Sequence, residues 1–208
     1  MTTWLHRFTV KPHHLDAYLP LWRREVTLRR ACGFTVHRAF VETDAEPKFT
    51  WLYSHPDADA PALVAAEAEA SVLADAARPH VFGNVVVRPV DVEVLTCATP
   101  ESMDGRIAIM RRYDLTGDWD GFLEVWRRIV GVRERHGFTC LFAVADRPHD
   151  LFTWAFDFAG EWADFPAAQR GYYADPDRVA LRSVFDHMAD YSIHPARQLV
   201  IDEEPANN

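Results

Sequence analysis

Leu123-Glu124-Val125-Trp126-Arg127-Arg128, read on to Gly137-Phe138-Thr139, decides how this chain is read, because the stretch occurs twice. The earlier copy is Leu19-Pro20-Leu21-Trp22-Arg23-Arg24, read on to Gly33-Phe34-Thr35, and the offset is constant: 126 − 22 = 104 and 137 − 33 = 104. Val26/Val130 and Arg29/Arg133 keep the same spacing. A second block follows in each copy, Phe49-Thr50-Trp51 and Phe152-Thr153-Trp154, at an offset of 103. Two ordered blocks at nearly one spacing imply a duplicated chain of two similar halves.

Outward from the first copy, the residues specify a run of elements. Trp4 to Val10 alternate with period two, which predicts a strand. Lys11-Pro12 ends it. Leu15, Leu19, Trp22 and Val26 recur every three or four residues, the apolar stripe of a helix, and Gly33 fits a left-handed stop. Phe34–Glu42 and Phe49–His55 read as a hairpin, Asp57–Ala77 as an Ala-rich helix, and Val85–Leu95 as a well-buried strand of nearly continuous valine. The second half repeats the pattern with strand Ile107–Leu115, a helix capped by Thr116 or Asp118, and hairpin strands 138–145 and 151–158. Helices broken near Asp175-Pro176 and a last strand, Ser192–Ile201, complete it. Each half is thus β-α-β-β-α-β, the ferredoxin-like order. The strands carry apolar residues on both faces, which a single sheet in water does not need. The expected fold is therefore α+β: two tandem ferredoxin-like repeats, 1–96 and 107–201, joined by a polar linker 97–106 and followed by a loose tail 202–208. Their antiparallel sheets are expected to pack into one intramolecular barrel.

Composition narrows the function. The net charge of −9 and the pI near 5.5 argue against a nucleic acid or an anionic membrane surface as partner, since phosphates would be repelled. Arg23, Arg24, Arg29 and Arg30 concentrate on one helix and read as a solvated face. Cys32, Cys97 and Cys140 have neither the count nor the spacing of a disulfide framework or zinc site. With no export signal and no apolar run near the ~20 residues of a membrane span, a cytoplasmic protein is expected. No metal-ligand spacing, glycine-rich phosphate loop or nucleophile elbow is present.

The repeat resembles the NIPSNAP-like members of the dimeric α+β barrel superfamily. The resemblance rests on Lys11-Pro12, Leu15-Asp16, Leu21-Trp22-Arg23, the Gly33-Phe34 helix exit, the aromatic third strand and Asp175-Pro176-Asp177. It covers nearly the whole chain and implies a pocket between sheet and helices. The superfamily includes cofactor-free monooxygenases and ring-cleaving oxygenases, lyases, decarboxylases and haem-binding proteins. In its actinobacterial members tailoring of polyketide-like aromatics recurs. It has no common catalytic motif to carry over. The resemblance implies an enzyme that acts on a hydrophobic aromatic or polyketide-like molecule by proton transfer without an organic cofactor. The alternative is a non-catalytic binding protein for haem or a hydrophobic metabolite. A barrel closed within one chain needs no partner, so a monomer is expected, with a homodimer through another surface as the alternative.

Comparing the halves singles out candidate residues. If the first hairpin pairs Glu42 with Lys48, then His37 faces Tyr53 where the second half has Leu141 and Phe156. Such a His–Tyr pair is either a self-satisfied polar contact or a general base with a hydrogen-bond donor to an enolate. His37 and Tyr53 are the catalytic candidates. His6 corresponds to Arg111, and either can hold a carboxylate or phenolate. Asp157, at the position of Ser54, is either a base in an apolar setting or an edge carboxylate. Trp4, Trp51 and Trp154 complete the substrate-binding set, since surplus aromatics suit a flat ligand. His187, Tyr191 and His194 lie around the start of the last strand, and the resemblance, in which a lone His can bind haem, makes each a candidate axial ligand.

Overall fold

The computed structural model describes residues 1–43, 46–96 and 105–201. The first half contains β1 (Thr2–Thr9), α1 (Leu15–Ala31), β2 (Thr35–Glu42), β3 (Lys48–His55), α2 (Ala60–Ala66), α3 (Ala68–Ala77) and β4 (Val86–Leu95). The second contains β5 (Arg106–Leu115), α4 (Trp119–Arg135), β6 (Cys140–Asp146), β7 (Leu151–Ala159), α5 (Phe165–Ala174), α6 (Pro176–Ala180) and β8 (Met188–Gln198). Both halves therefore show the expected β-α-β-β-α-β order. The hydrogen-bonded strand order is β1-β3-β2-β8-β5-β7-β6-β4, an antiparallel barrel that closes on itself.

The chain forms two compact units, residues 1–90 with the segment from 197, and residues 91–196. Two strands run on from one unit into the other. Val86–Val90 of β4 pair with β1, and Asp91–Leu95 pair with β6. β8 pairs with β5 from Met188 to Ala196, and beyond it the Leu199 amide donates to the Ala39 carbonyl. Most of the expected linker and the whole tail lie outside the described residues.

Within the first unit, α1 lies on the sheet face that carries Trp4, Phe8, Phe49, Trp51 and Tyr53. Trp22 is the anchor, with its ring 5.2 Å from Phe49 and 6.2 Å from Trp51. Truncating such a buried tryptophan costs about 3–5 kcal/mol. The second unit repeats the arrangement with Trp126 against Phe152 (4.9 Å) and Trp154 (5.6 Å). Gly33 and Gly137 take φ of 86° and 82° after the two helices, the left-handed exit the sequence predicts.

Two expectations need correction. The Ala-rich helix is not continuous: Glu67 is extended (φ −68°, ψ 134°) and separates α2 from α3, with no Pro or Gly to explain the break. Nor is β4 well buried, because Val87 and Val92 are 44% and 42% exposed. Its valines satisfy strand propensity, since β-branched side chains suit a pleated backbone whether or not both faces are covered.

Candidate small-molecule site

In the first unit β1 directs alternate residues toward the helices, so Trp4, His6 and Phe8 share one face. His6 sits opposite Trp51 in the β1–β3 ladder, with its ring 5.3 Å from that indole and 5.2 Å from Phe8. From α1, Tyr18, Leu21, Glu25, Leu28 and Arg29 reach the same space at helical spacing. From the other side come Val64 of α2 and Leu73 and Ala77 of α3. Together they enclose a cavity of about 540 Å³, within the range of small-molecule sites. Its walls are mostly apolar, and its polar lining is His6, Tyr18, Glu25, Arg29, Ser71 and Arg78.

Arg29 is the electrostatic centre. Its guanidinium lies 4.2 Å from the Tyr53 ring centroid and 5.1 Å from Trp51, stacked on the aromatic floor. Nη2 and Nε donate to Glu25 Oε1 at 2.9 and 3.2 Å, while Nη1 is buried with no partner among the described residues. His6 Nδ1 is likewise buried and unpartnered. Burial, reinforced by the Arg29 charge, pushes the His6 pKa down to about 3, so the imidazole is neutral at any ordinary pH. Burial raises the Tyr18 hydroxyl well above its usual value, with Glu25 adding to the shift, and pushes Tyr53 up to about 12. The site thus presents the Arg29–Glu25 ion pair and one neutral imidazole in the lining of an apolar chamber.

The same place in the second unit is filled. Only about 10 Å³ remains among Arg111, Ile129, Arg133, Tyr172, Tyr173 and their neighbours. Arg133 occupies the position of Arg29, but Tyr172 from α5 lies under its guanidinium at 4.1 Å. Helix α5 brings Tyr172 and Tyr173 to the space that α2–α3 face with alanines, so side-chain volume on the second helix decides which unit is hollow.

The residues singled out from the sequence are placed unevenly. His6 lines the cavity. Ala39 does face Trp51, but a β-bulge at His37 shifts the ladder, and Val36 stands opposite Tyr53. His37 Nε2 instead shares a 2.8 Å hydrogen bond with Ser54 Oγ, so the expected His37–Tyr53 pair does not form. The second half has the same bulge, with Cys140 rather than Leu141 opposite Phe156. Tyr53 lies beneath Arg29 with its hydroxyl buried and unpartnered. Trp4 and Trp51 are buried in the first core, and Trp154 in the second; none of the three lines either cavity. Arg111 borders the filled space. Asp157 is neither a free base nor a plain edge residue: its carboxylate takes Arg106 Nε at 2.7 Å and the Thr139 amide at 2.7 Å. His187 Nδ1 lies 3.2 Å from Asp118, Tyr191 is 52% exposed, and neither histidine of the last strand region lines either cavity. The residues named for haem therefore do not fit it. Among the described residues, no three His, Cys, Asp or Glu side chains gather as metal ligands, and no helix is long and apolar enough to cross a membrane.

Arg29 is the residue the sequence reading misplaced. It is 8% exposed rather than solvated. The signal was present, since Trp22, Val26 and Arg29 are spaced by four and three residues, and the arginine recurs as Arg133.

No family model matches the chain, and no curated protein matches its sequence. Solved structures do match. One described as a "putative monooxygenase" from Fusobacterium nucleatum superposes with a TM-score of 0.66 at 12% identity, covering 96% of this chain and 92% of that one. A second so described, from Lactobacillus acidophilus, gives 0.64 at 11% identity over 95% and 94%. An "anthrone oxidase-like protein" gives 0.63 at 11% over 100% and 96%. At this identity the likeness establishes the fold alone: a mixed α+β chain with a closed antiparallel barrel of eight strands.

Proposed function

We propose that the first unit is the working site of a small-molecule enzyme that deprotonates an aromatic or polyketide-like substrate without an organic cofactor. The observation that carries this reading is that His6 and Arg29, each with a buried nitrogen that has no partner among the described residues, both line a cavity of about 540 Å³. A flat ligand fills the apolar walls and turns its acidic oxygen toward Arg29. His6 accepts the proton, and Arg29 stabilises the enolate or phenolate that remains. A neutral imidazole is always in the accepting form. Its depressed pKa makes the resting imidazole a weak base, so proton transfer from a phenol, enol or β-diketone is uphill and relies on the Arg29 charge to stabilise the anion formed. The resulting electron-rich anion is the species that reacts with dioxygen or rearranges. The resemblance to NIPSNAP-like sequences and the fold shared with oxygenase-like structures support the substrate class. His6 and Arg29 replace His37 and Tyr53 as the residues in direct reach of a ligand, with Tyr53 supporting Arg29 from below.

The test is oxygen uptake and absorbance change with 1,8-dihydroxyanthrone, a probe containing an acidic enol and a flat ring system. His6→Phe and Arg29→Met are each expected to lower turnover by roughly 10²–10⁴-fold. Binding of the probe with no turnover would sink the catalytic reading. It would leave the second reading, carriage of a hydrophobic metabolite, which the weak basicity of resting His6 favours. Absence of binding would sink both.

A further inference from the structure

The second unit buries three arginines in one cluster, with Arg111 at 4%, Arg133 at 3% and Arg178 at 5% exposure. In the first unit the equivalent of Arg133 has a carboxylate, Glu25, one turn before it on the same helix. Here that position is Ile129, and no carboxylate among the described residues pairs with any of the three arginines. Arg111 and Arg133 each leave Nε and Nη1 unpartnered and buried, and Arg178 leaves Nε. The remaining contacts are weak neutralisers: Arg133 lies over Tyr172 and Phe156 at 4.1 and 4.2 Å, Arg111 hydrogen-bonds Tyr173, and Arg178 Nη1 donates to the Leu181 carbonyl. Ring faces offset only part of the cost of burying a cation.

We propose that Arg111, Arg133 and Arg178 form a binding site for a small monovalent anion, either a halide or the carboxylate of a small acid. The three arginines, with five buried donor atoms that have no partner among the described residues, line a space of about 10 Å³, close to one water-sized sphere. That size admits a monatomic anion or one carboxylate group and excludes a phosphate ester. Tyr173 and Phe185, 39% and 48% exposed, form the outer wall and are the side chains with freedom to yield on entry. Burial, with the Arg111 charge adding to it, pushes the Arg133 pKa down to about 10 against the opposing pull of the neighbouring tyrosines. The competing source of negative charge is Tyr173: burial raises its pKa, but Arg111, Arg133 and Arg178 outweigh that and lower it.

The experiment is thermal unfolding of the full chain at neutral pH and fixed sodium concentration, with the bulky sulfonate MOPS exchanged for chloride, bromide or formate. A saturable rise in Tm on the order of 5 °C is expected at a hundredfold excess over Kd. A rise with the halides alone assigns the inorganic source, and a larger rise with formate assigns the carboxylate. Equal Tm values in all four salts overturn the proposal. Ile129→Glu, which installs the carboxylate of the first unit, is expected to raise Tm in MOPS and to abolish the anion response. Arg178→Met, which removes one charge without adding another, is expected to weaken the response at least tenfold in midpoint. An undiminished response in both variants overturns the site. So does a tyrosinate absorbance at neutral pH in MOPS that Tyr173→Phe removes, because the compensating charge is then internal.

Discussion

The two units anchor the same tryptophan on the same helix and the same arginine seven residues later, yet one encloses about 540 Å³ and the other about 10 Å³. The sheet floors are equivalent: Trp51 and Trp154 face His6 and Arg111 across the first ladder of each unit. The difference lies in the covering helix. Ala70, Ala74 and Ala77 face the cavity in the first unit, where Tyr172 and Tyr173 project in the second. Close packing is the default for a protein interior, so a cavity of this size on a well-packed floor sets the first unit apart and is what the proposed ligand site rests on. Charge follows the same division. The hollow unit balances Arg29 with Glu25, and the filled unit leaves Arg133 with Ile129.

The largest effect that separates the units is acid sensitivity. His6 has a native pKa of about 3 against an unfolded value of 6.5, so the unfolded chain binds a proton that the native chain refuses. Its contribution is complete above the unfolded pKa and is lost as pH falls from about 6.5 toward 3. It amounts to at most about 5 kcal/mol. Urea unfolding at pH 7 and pH 4 measures this slope, and His6→Phe is expected to flatten it. An unchanged slope in that variant would show that His6 is not held neutral by burial. Its counterpart Arg111 keeps its charge over the whole range.

Next in size is the plug. Tyr172→Ala, at a residue 1% exposed, is expected to cost about 3–5 kcal/mol and to open a cavity in the second unit. Ala70→Trp, which fills space already open in the first unit, is expected to stay within about 1 kcal/mol of wild type and to abolish binding of the anthrone probe. If both variants lose stability equally, the two interiors are equally packed and the contrast is wrong.

Smaller still is the charge exchange. Glu25→Ile imports the residue of the second unit and strands Arg29. With Glu25 a quarter exposed in its side chain, a loss of about 1–2 kcal/mol is expected, together with tighter binding of anionic probes. Weaker binding would mean that Glu25, not Arg29, holds the ligand. The smallest effect belongs to His37. Removing its bond to Ser54 by His37→Ala is expected to cost about 1 kcal/mol and leave probe turnover unchanged. A collapse of turnover would restore His37 to the site.

Element order, the helix stops at Gly33 and Gly137, the equivalence of Trp22 and Trp126, and the closed antiparallel sheet were all legible in the residues. They follow from period, capping and repetition, which are local in the chain or internal to it. Which residues meet was not. One bulge at His37 shifts the ladder by one residue, and in a strand one residue exchanges the two faces, so the inferred His37–Tyr53 pair became His37–Ser54. Arg29 looked solvated because arginines usually are. Only packing on Tyr53 and Trp51 beside Glu25 makes its burial affordable. Asp157 became a partner of Arg106, across 51 residues of sequence. The contrast between the Ala-rich helix of the first half and Phe165, Tyr172 and Tyr173 in the second was written in the sequence. Its meaning, a chamber in one unit and a plug in the other, depended on which helix faces the floor. The sequence by itself determined the architecture, because hydrophobic period and repetition are properties of the chain. Tertiary structure decided the site, because cavity volume, register and charge compensation arise only between residues far apart in that chain.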